Sequence, residues 1–338
     1  MARQSLDSHS TTVRKTLGAL HGSIQQTKTG QVAGCCILSK KGGQNMLAVF
    51  MVRFDNFRLL KAGHPMPRGS YIALFSITFA VIAAAAMMIP VGIDWEGGYY
   101  PAGRDILRGH SPYHPLSPEK TGFLNPPWVL VVIAPLTLLG LNLSWGFWFA
   151  ANFILYVLAL YRWRARLAFI GVAMLMPFAF MTLWNGNLDA VVLFGSTLAP
   201  FPAGLFIVLL KPQMGIGLAA YWGIELWRRE GMRQAVFTFI PVTLAFGVSL
   251  LIFGNFFEHG NSLVHIGWNV SIFPYGIPVG LLLLGVSLYT HQPAFAFLSG
   301  AFFAPYVHIY SLYAAVLPSL SLVFKRKSTV SAIETQQP

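Results

Sequence analysis

Residues 71–93 run for 23 positions without a charged side chain. A stretch of that length and character matches the roughly 20 apolar residues that carry a helix across a bilayer. It is the first of several such runs, at 128–142, 145–161, 167–184, 188–210, 212–227, 235–253, 272–288 and 294–324, the last long enough for two crossings. Charged residues make up only 10% of the chain, against 55% hydrophobic. Soluble domains carry roughly 25% charged residues, so this chain lacks the charge to cover a water-facing surface. A soluble enzyme is excluded. The expected fold is all-α, a polytopic integral membrane helical bundle with roughly eight to ten transmembrane helices, since only helices or closed barrels satisfy the backbone in lipid.

The formal charge of +12 resembles a nucleic-acid signal until it is located. Ten basic and two acidic residues precede Tyr71, against thirteen basic and nine acidic after it. An excess ahead of the first span is what the positive-inside rule expects of a cytoplasmic N-terminus, so no nucleic-acid partner is inferred. Cys35 and Cys36, adjacent in this tail, are the only cysteines, which leaves no disulfide framework and no cysteine-based metal site.

Residues 1–45 are rich in Ser, Thr, Gln, Gly and Lys and are expected to form a disordered cytoplasmic tail. Residues 46–70 mix Leu47, Phe50, Phe54 and Phe57 with Arg53, Arg58 and Lys61, which suits a juxtamembrane amphipathic helix. The transmembrane domain covers 71–325, with a large first outer loop at 94–127 and a second cytoplasmic tail at 326–338. Pro200 and Pro202 predict a tight helical hairpin. One conflict is left open. Counting 128–142 and 145–161 as two full spans puts Arg162, Arg164 and Arg166 outside, so either one run is re-entrant or the charge rule fails there.

The loop reads Asp94-Trp95-Glu96-Gly97-Gly98-Tyr99-Tyr100, then Ala102, Arg104, Leu107-Arg108-Gly109-His110-Ser111-Pro112-Tyr113, and Phe123-Leu124-Asn125-Pro126-Pro127-Trp128. This resembles the first extracytoplasmic loop of GT-C glycosyltransferases, and within them glycosyltransferase family 87, the polyprenol-phosphate-mannose-dependent mannosyltransferases. That family shares an Asp, a Tyr-Tyr pair, an Ala, Leu-x-Gly-x-x-Pro-Tyr and Tyr/Asn-Pro-Pro. Asn185-Gly186-Asn187-Leu188-Asp189 and Leu210-Lys211-Pro212-Gln213 are further matches, as is Ala304-Pro305-Tyr306-Val307-His308-Ile309-Tyr310. Asn187 stands where the family commonly has Gln, and Ser311 where it often has Asp. The resemblance covers roughly residues 71–325. It implies a GT-C bundle in a bacterial plasma membrane, with Asp94 catalytic on the extracytoplasmic side. Tyr99, Tyr100, Arg104, Tyr113, Asn187, Lys211 and His308 would bind substrate.

The chemistry of such a reaction fits the sparse acids. A sugar on a polyprenyl phosphate already has a good leaving group, so displacement by an acceptor hydroxyl needs one general base and positive charge near the departing phosphate. A second carboxylic acid, as in glycoside hydrolysis, is unnecessary. Asp94 would take the acceptor proton, and Lys211 or Arg104 would hold the phosphate. The donor would carry a hexose, with mannose favoured, and the acceptor would be a glycolipid or envelope glycan. No metal and no cofactor are called for, and there is no Walker A loop or GxGxxG to cradle a nucleotide.

Each residue has a plainer reading. Asp94 also suits the polar stop after a span, Lys211 an interfacial lysine snorkelling from a helix end, and His308 a hydrogen-bonded packing residue. His110 and His114 are four apart, but Pro112 and Pro115 break the helix that would pair them as metal ligands. Trp128, Trp145, Trp148 and Trp184 read as interfacial anchors. The competing function is a transporter or lipid flippase, with a catalytically inactive GT-C relative as a third. Transporters place substrate groups in broken helices related by an internal repeat, and no repeat is visible here.

Overall fold

Proline decides where the apolar runs break. The computed structural model describes residues 68–113, 122–198, 200, 202–256 and 268–324. The expected tails at 1–45 and 326–338 and nearly all of the 46–70 helix lie outside these, as do His114, Pro115 and Glu119 of the outer loop. Every described element is a helix, and a β-bridge joins Asn269 to His308.

Helix α1 (Arg68–Ala86) starts three residues before the predicted span and stops short of Pro90. A π-turn (Trp95–Tyr99) runs directly into α2 (Tyr100–Leu107). A 3-10 turn (Pro127–Val129) leads into α3 (Leu130–Thr137), followed by α4 (Leu141–Arg162). Then come α5 (Leu167–Leu175), α6 (Pro177–Asn185), α7 (Asp189–Gly195) and α8 (Pro202–Val208). The remaining helices are α9 (Pro212–Glu230), α10 (Met232–Phe253), α11 (Ile277–Thr290), α12 (Pro293–Ser299) and α13 (Ile309–Val323).

The residue before a proline is pushed out of the helical region by the pyrrolidine ring. Met176, Lys211 and Gln292 obey this, with ψ of 138°, 82° and 99°. Each ends one apolar run and starts the next helix. On length and composition, three helices can cross a membrane: Gly69–Ala86, Leu141–Arg162 and Met232–Phe253. The α5–α6 pair, bent by 67° at Met176–Pro177, makes a fourth if it is one broken span. Four shorter apolar helices accompany them, including Pro127–Thr137 and Ile309–Val323. The runs expected as eight to ten spans therefore do form helices, but proline makes most of them too short to cross alone.

Helix α4 is the pillar. Trp145, Tyr156 and Leu160 on it are fully buried, while α1 keeps Ile72, Ile77 and Val81 exposed, as a lipid-facing helix does. Gly146 of α4 lies against the carbonyl of Ala83, and the Phe79 and Phe147 rings meet edge to face at 5.4 Å. The end of α1 thus meets the start of α4, so the two are antiparallel. Small residues at such a crossing let backbones approach closely.

That antiparallel pairing bears on the arginine conflict. Residues 127–137 span only ~16 Å at 1.5 Å per residue, half a bilayer core, and both their ends lie on the α2 side of the bundle. The helix of the 128–142 run, Pro127–Thr137, is among the shorter apolar helices rather than those long enough to cross a membrane. Arg162–Arg166 then lie at the same end as the start of α1. They also meet the end of α13: the Arg166 N–H donates to the Phe324 carbonyl at 3.1 Å and the Ser321 hydroxyl to the Trp163 carbonyl at 3.4 Å. Helix α10 carries Arg233 at its start, while its last turn brings Phe253 to Tyr113 of the opposite end at 5.7 Å. The basic turns gather opposite the acidic 94–113 segment.

Candidate functional site

Several helices begin partway through the bundle rather than at its ends, and their first residues converge. Asp94 immediately precedes the π-turn. It is held there by Gly92, whose bare α-carbon packs against the Trp184 carbonyl, and by the Trp184 indole, which donates to the Pro90 carbonyl at 3.1 Å. Trp95, fully buried, stacks on Trp148 at 5.2 Å. Gly186, with φ of +74°, ends α6 in the left-handed conformation and turns Asn187 toward Asp94. Asp189 opens α7, Lys211 is the residue before α9, and His308 the residue before α13. The bridge to Asn269 fixes His308, with Val270 N–H donating to the Val307 carbonyl at 2.9 Å.

The resulting network is continuous. Asn187 Nδ2 donates to Asp94 Oδ2 at 2.6 Å and lies 2.9 Å from the Tyr310 hydroxyl, which itself donates to Asp94 Oδ2 at 3.1 Å. Asn187 Oδ1 accepts from the Leu188 N–H at 2.7 Å and from the Tyr99 hydroxyl at 3.4 Å, and Asn125 Nδ2 donates to that hydroxyl at 2.9 Å. Lys211 Nζ donates to Asp189 Oδ1 at 2.6 Å and to Ser311 Oγ at 2.9 Å. The Tyr310 ring links the two halves. It stacks on the His308 imidazole at 3.7 Å, and the Lys211 ammonium sits 5.5 Å from its centroid.

Burial dominates the electrostatics. It raises the Asp94 carboxyl above its ordinary range, opposed by the Lys211 charge and by the hydrogen bonds from Asn187 and Tyr310. Burial also pushes His308 down to about 4, helped by the Lys211 ammonium, so its imidazole is neutral near pH 7. The Tyr99 phenol is held well above its usual value for the same reason. Asp189 is fully buried, and its second oxygen, Oδ2, has no hydrogen-bond partner among the described residues.

Of the residues predicted from sequence, Asp94, Tyr99, Asn187, Lys211 and His308 come together. Tyr100 and Arg104 do not join them. They line a cavity of about 620 Å³ with Gly97, Gly98, Arg108 and Phe123, and neither Asp94 nor Lys211 is among its lining residues. Tyr113 is a packing residue of the loop, stacked on Phe256 at 5.6 Å and donating to the Asn125 carbonyl at 2.8 Å. Lys211 is only 5% exposed and its ammonium is already engaged, which places it to act through its charge. Trp145 and Trp148 are buried inside the bundle and are not interfacial anchors.

Asp189, Tyr310 and Ser311 figured in the sequence only within the matching segments and were given no site role. Asp189 carried a usable signal, an acid at the start of an otherwise uncharged apolar run, which is a functional marker by default. Tyr310 carried none, since a tyrosine in an apolar run reads as an anchor. Among the described residues no three His, Cys, Asp or Glu side chains gather as a metal site would require. No family model, curated protein or solved structure matches this chain.

Proposed function

We propose that the chain is a polytopic GT-C-type glycosyltransferase of family 87 character, moving a hexose, mannose by preference, from a polyprenyl-phosphate donor to a glycolipid or envelope-glycan acceptor. The observation that carries this reading is Asp94. It is a partly buried carboxylate anchored through one oxygen, immediately before the π-turn whose Gly97 and Gly98 wall a cavity that Arg104 and Arg108 also line. π-turns inside helices recur at functional sites.

In this reaction the acceptor O–H gives its proton to Asp94 as its oxygen attacks the anomeric carbon. The bond from that carbon to the phosphate oxygen breaks, and the electron pair leaves on the polyprenyl phosphate. One displacement inverts the sugar. Arg104 and Arg108 neutralise the growing phosphate charge, a contribution that water-poor sites amplify. Lys211, held by Asp189, keeps a fixed positive charge behind Asp94 and favours its ionised form. The basic turns face the cytoplasm and the Asp94 end the exterior of a plasma membrane, following the positive-inside rule.

One observation favours transport instead. The buried Asp189–Lys211 pair stands where α7 and α9 begin, and ionisable groups buried at helix ends mark ion pathways in transporters. A single experiment separates the two. Purified protein in lipid nanodiscs is supplied with radiolabelled polyprenyl-phosphate sugars and lipid-extract acceptor. Transfer by the wild type and a loss of about a hundredfold or more in Asp94→Asn, the usual scale for deleting a general base, supports the enzyme. Transfer untouched by the substitution removes Asp94 as the base. No transfer, together with donor movement across proteoliposome membranes, supports the transporter.

A further inference from the structure

Both hydrogen bonds that Asp94 accepts fall on Oδ2, from Asn187 and from Tyr310, and among the described residues Oδ1 accepts none. Asn187 cannot turn over, because its own Oδ1 is tied to the Leu188 N–H and to Tyr99. Its donor side therefore has to face Asp94. Tyr310 is equally fixed. Its ring is stacked on His308 on the bridge to Asn269, with Lys211 near the ring, and the ring is 97% buried. A carboxylate with one oxygen doubly anchored presents its other oxygen in a single direction. Its in-plane lone pairs make that oxygen the site for a proton.

We propose that Asn187 and Tyr310 are positioning residues that clamp Oδ2 of Asp94, leaving Oδ1 as its one proton-accepting atom. In the reaction proposed above, on which the catalytic half of this inference rests, Oδ1 is the atom that receives the acceptor's proton. Tyr310 and Asn187 stay on Oδ2 throughout. The groups facing Asp94 define what else acts on it. Lys211 from the start of α9 and Asp189 from α7 contribute opposite charges, and Tyr99 from the π-turn, with Tyr306 and His308 from the segment before α13, completes the surround. None of the last three is charged near neutral pH. Burial and the Asp94 and Asp189 charges lift Tyr306 to about 12, and His308 is neutral above about 4.

Tyr310→Phe tests the clamp, since it removes one hydroxyl and keeps the ring on His308 and beside Lys211. Infrared difference spectra of full-length protein in nanodiscs, wild type minus Asp94→Asn, isolate the Asp94 carboxyl stretch, and titrating that band gives its midpoint without turnover. The expected result is an upward shift of about one pH unit or more in Tyr310→Phe, the scale of a lost hydrogen bond to a charged group, and a similar shift in Asn187→Leu. In the transfer assay, the acid limb of kcat moves by the same amount while KM for donor stays put. A Tyr310→Phe midpoint within about 0.3 unit of wild type overturns the clamp, whatever the transfer assay shows. A shifted midpoint in protein that transfers nothing keeps the clamp and removes the glycosyltransferase reading.

Discussion

A carboxyl group taken out of water beside an ammonium is pulled in two directions, and at Asp94 burial wins. The sign of two effects follows. The folded protein holds the Asp94 proton more tightly than the unfolded chain, so this residue's contribution to stability declines as pH rises from the ordinary carboxyl range through the raised one. Base catalysis runs the other way, because it needs the ionised form, and transfer should rise with pH through that raised value. Lys211→Met removes the larger charge acting on Asp94 and should move the acid limb further up. It also leaves Asp189 buried without its cation, which costs about 3–5 kcal/mol. Asp189→Asn with Lys211→Met should recover most of that stability, since neither charge is left unpaired. Its limb should stay shifted upward, by less than in the single variant, because Asp189 opposes Lys211 at Asp94. Thermal unfolding in nanodiscs and pH–rate profiles of the three variants check both halves. A double variant as unstable as the single would show that packing, not charge, holds α7 to α9.

At the scale of elements, the site depends on where helices start, and glycine and proline set those points. Gly186 has a left-handed backbone, and a β-carbon there would lie 2.9 Å from both Trp145 Cζ3 and Trp95 Cβ. Gly109 has nearly the same φ, +75°, with nothing within 4 Å of the added carbon. Gly109→Ala should therefore cost only the left-handed penalty, about 1–2 kcal/mol. Gly186→Ala should cost clearly more and displace Asn187 from Asp94. Chemical unfolding of the pair measures the difference, and equal losses would mean that the tryptophans yield freely. Much of this level was legible in the sequence. The X-Pro steps at Met176, Lys211 and Gln292 precede helix starts, though Pro135, Pro241 and Pro318 lie inside helices, and Asp94 and Lys211 stood out as ionisable groups beside apolar runs. The π-turn did not. Its i→i+5 pattern shifts the helical phase, so adjacent Tyr99 and Tyr100 part company, one to the Asp94 network and the other to the arginine cavity. The pairing of Asp189 with Lys211, 22 residues apart, was likewise hidden, because it depends on how α7 and α9 lie together rather than on any local period.

Across the whole molecule, charge and length disagree until the fold arbitrates. Hydropathy alone gives the 128–142 run a full crossing and sends Arg162 to the side of the outer loop. The antiparallel contact of α1 with α4 instead puts Arg162 at the end occupied by the start of α1. The turns at Arg162–Arg166 and Arg233 then share one end, and a cytoplasmic side for that end would satisfy the positive-inside rule on two different helices. Thiol labelling can decide it. With Cys35 and Cys36 replaced by Ser, single cysteines at exposed positions are probed by a membrane-impermeant maleimide in sealed vesicles of both orientations. Arg162→Cys and Arg233→Cys should react from one side and His110→Cys only from the other. Labelling of Arg162→Cys and His110→Cys from a shared side would restore the full crossing at 128–142. It would also reverse α4 relative to α1, and with it the side of the membrane on which Asp94 meets its substrates.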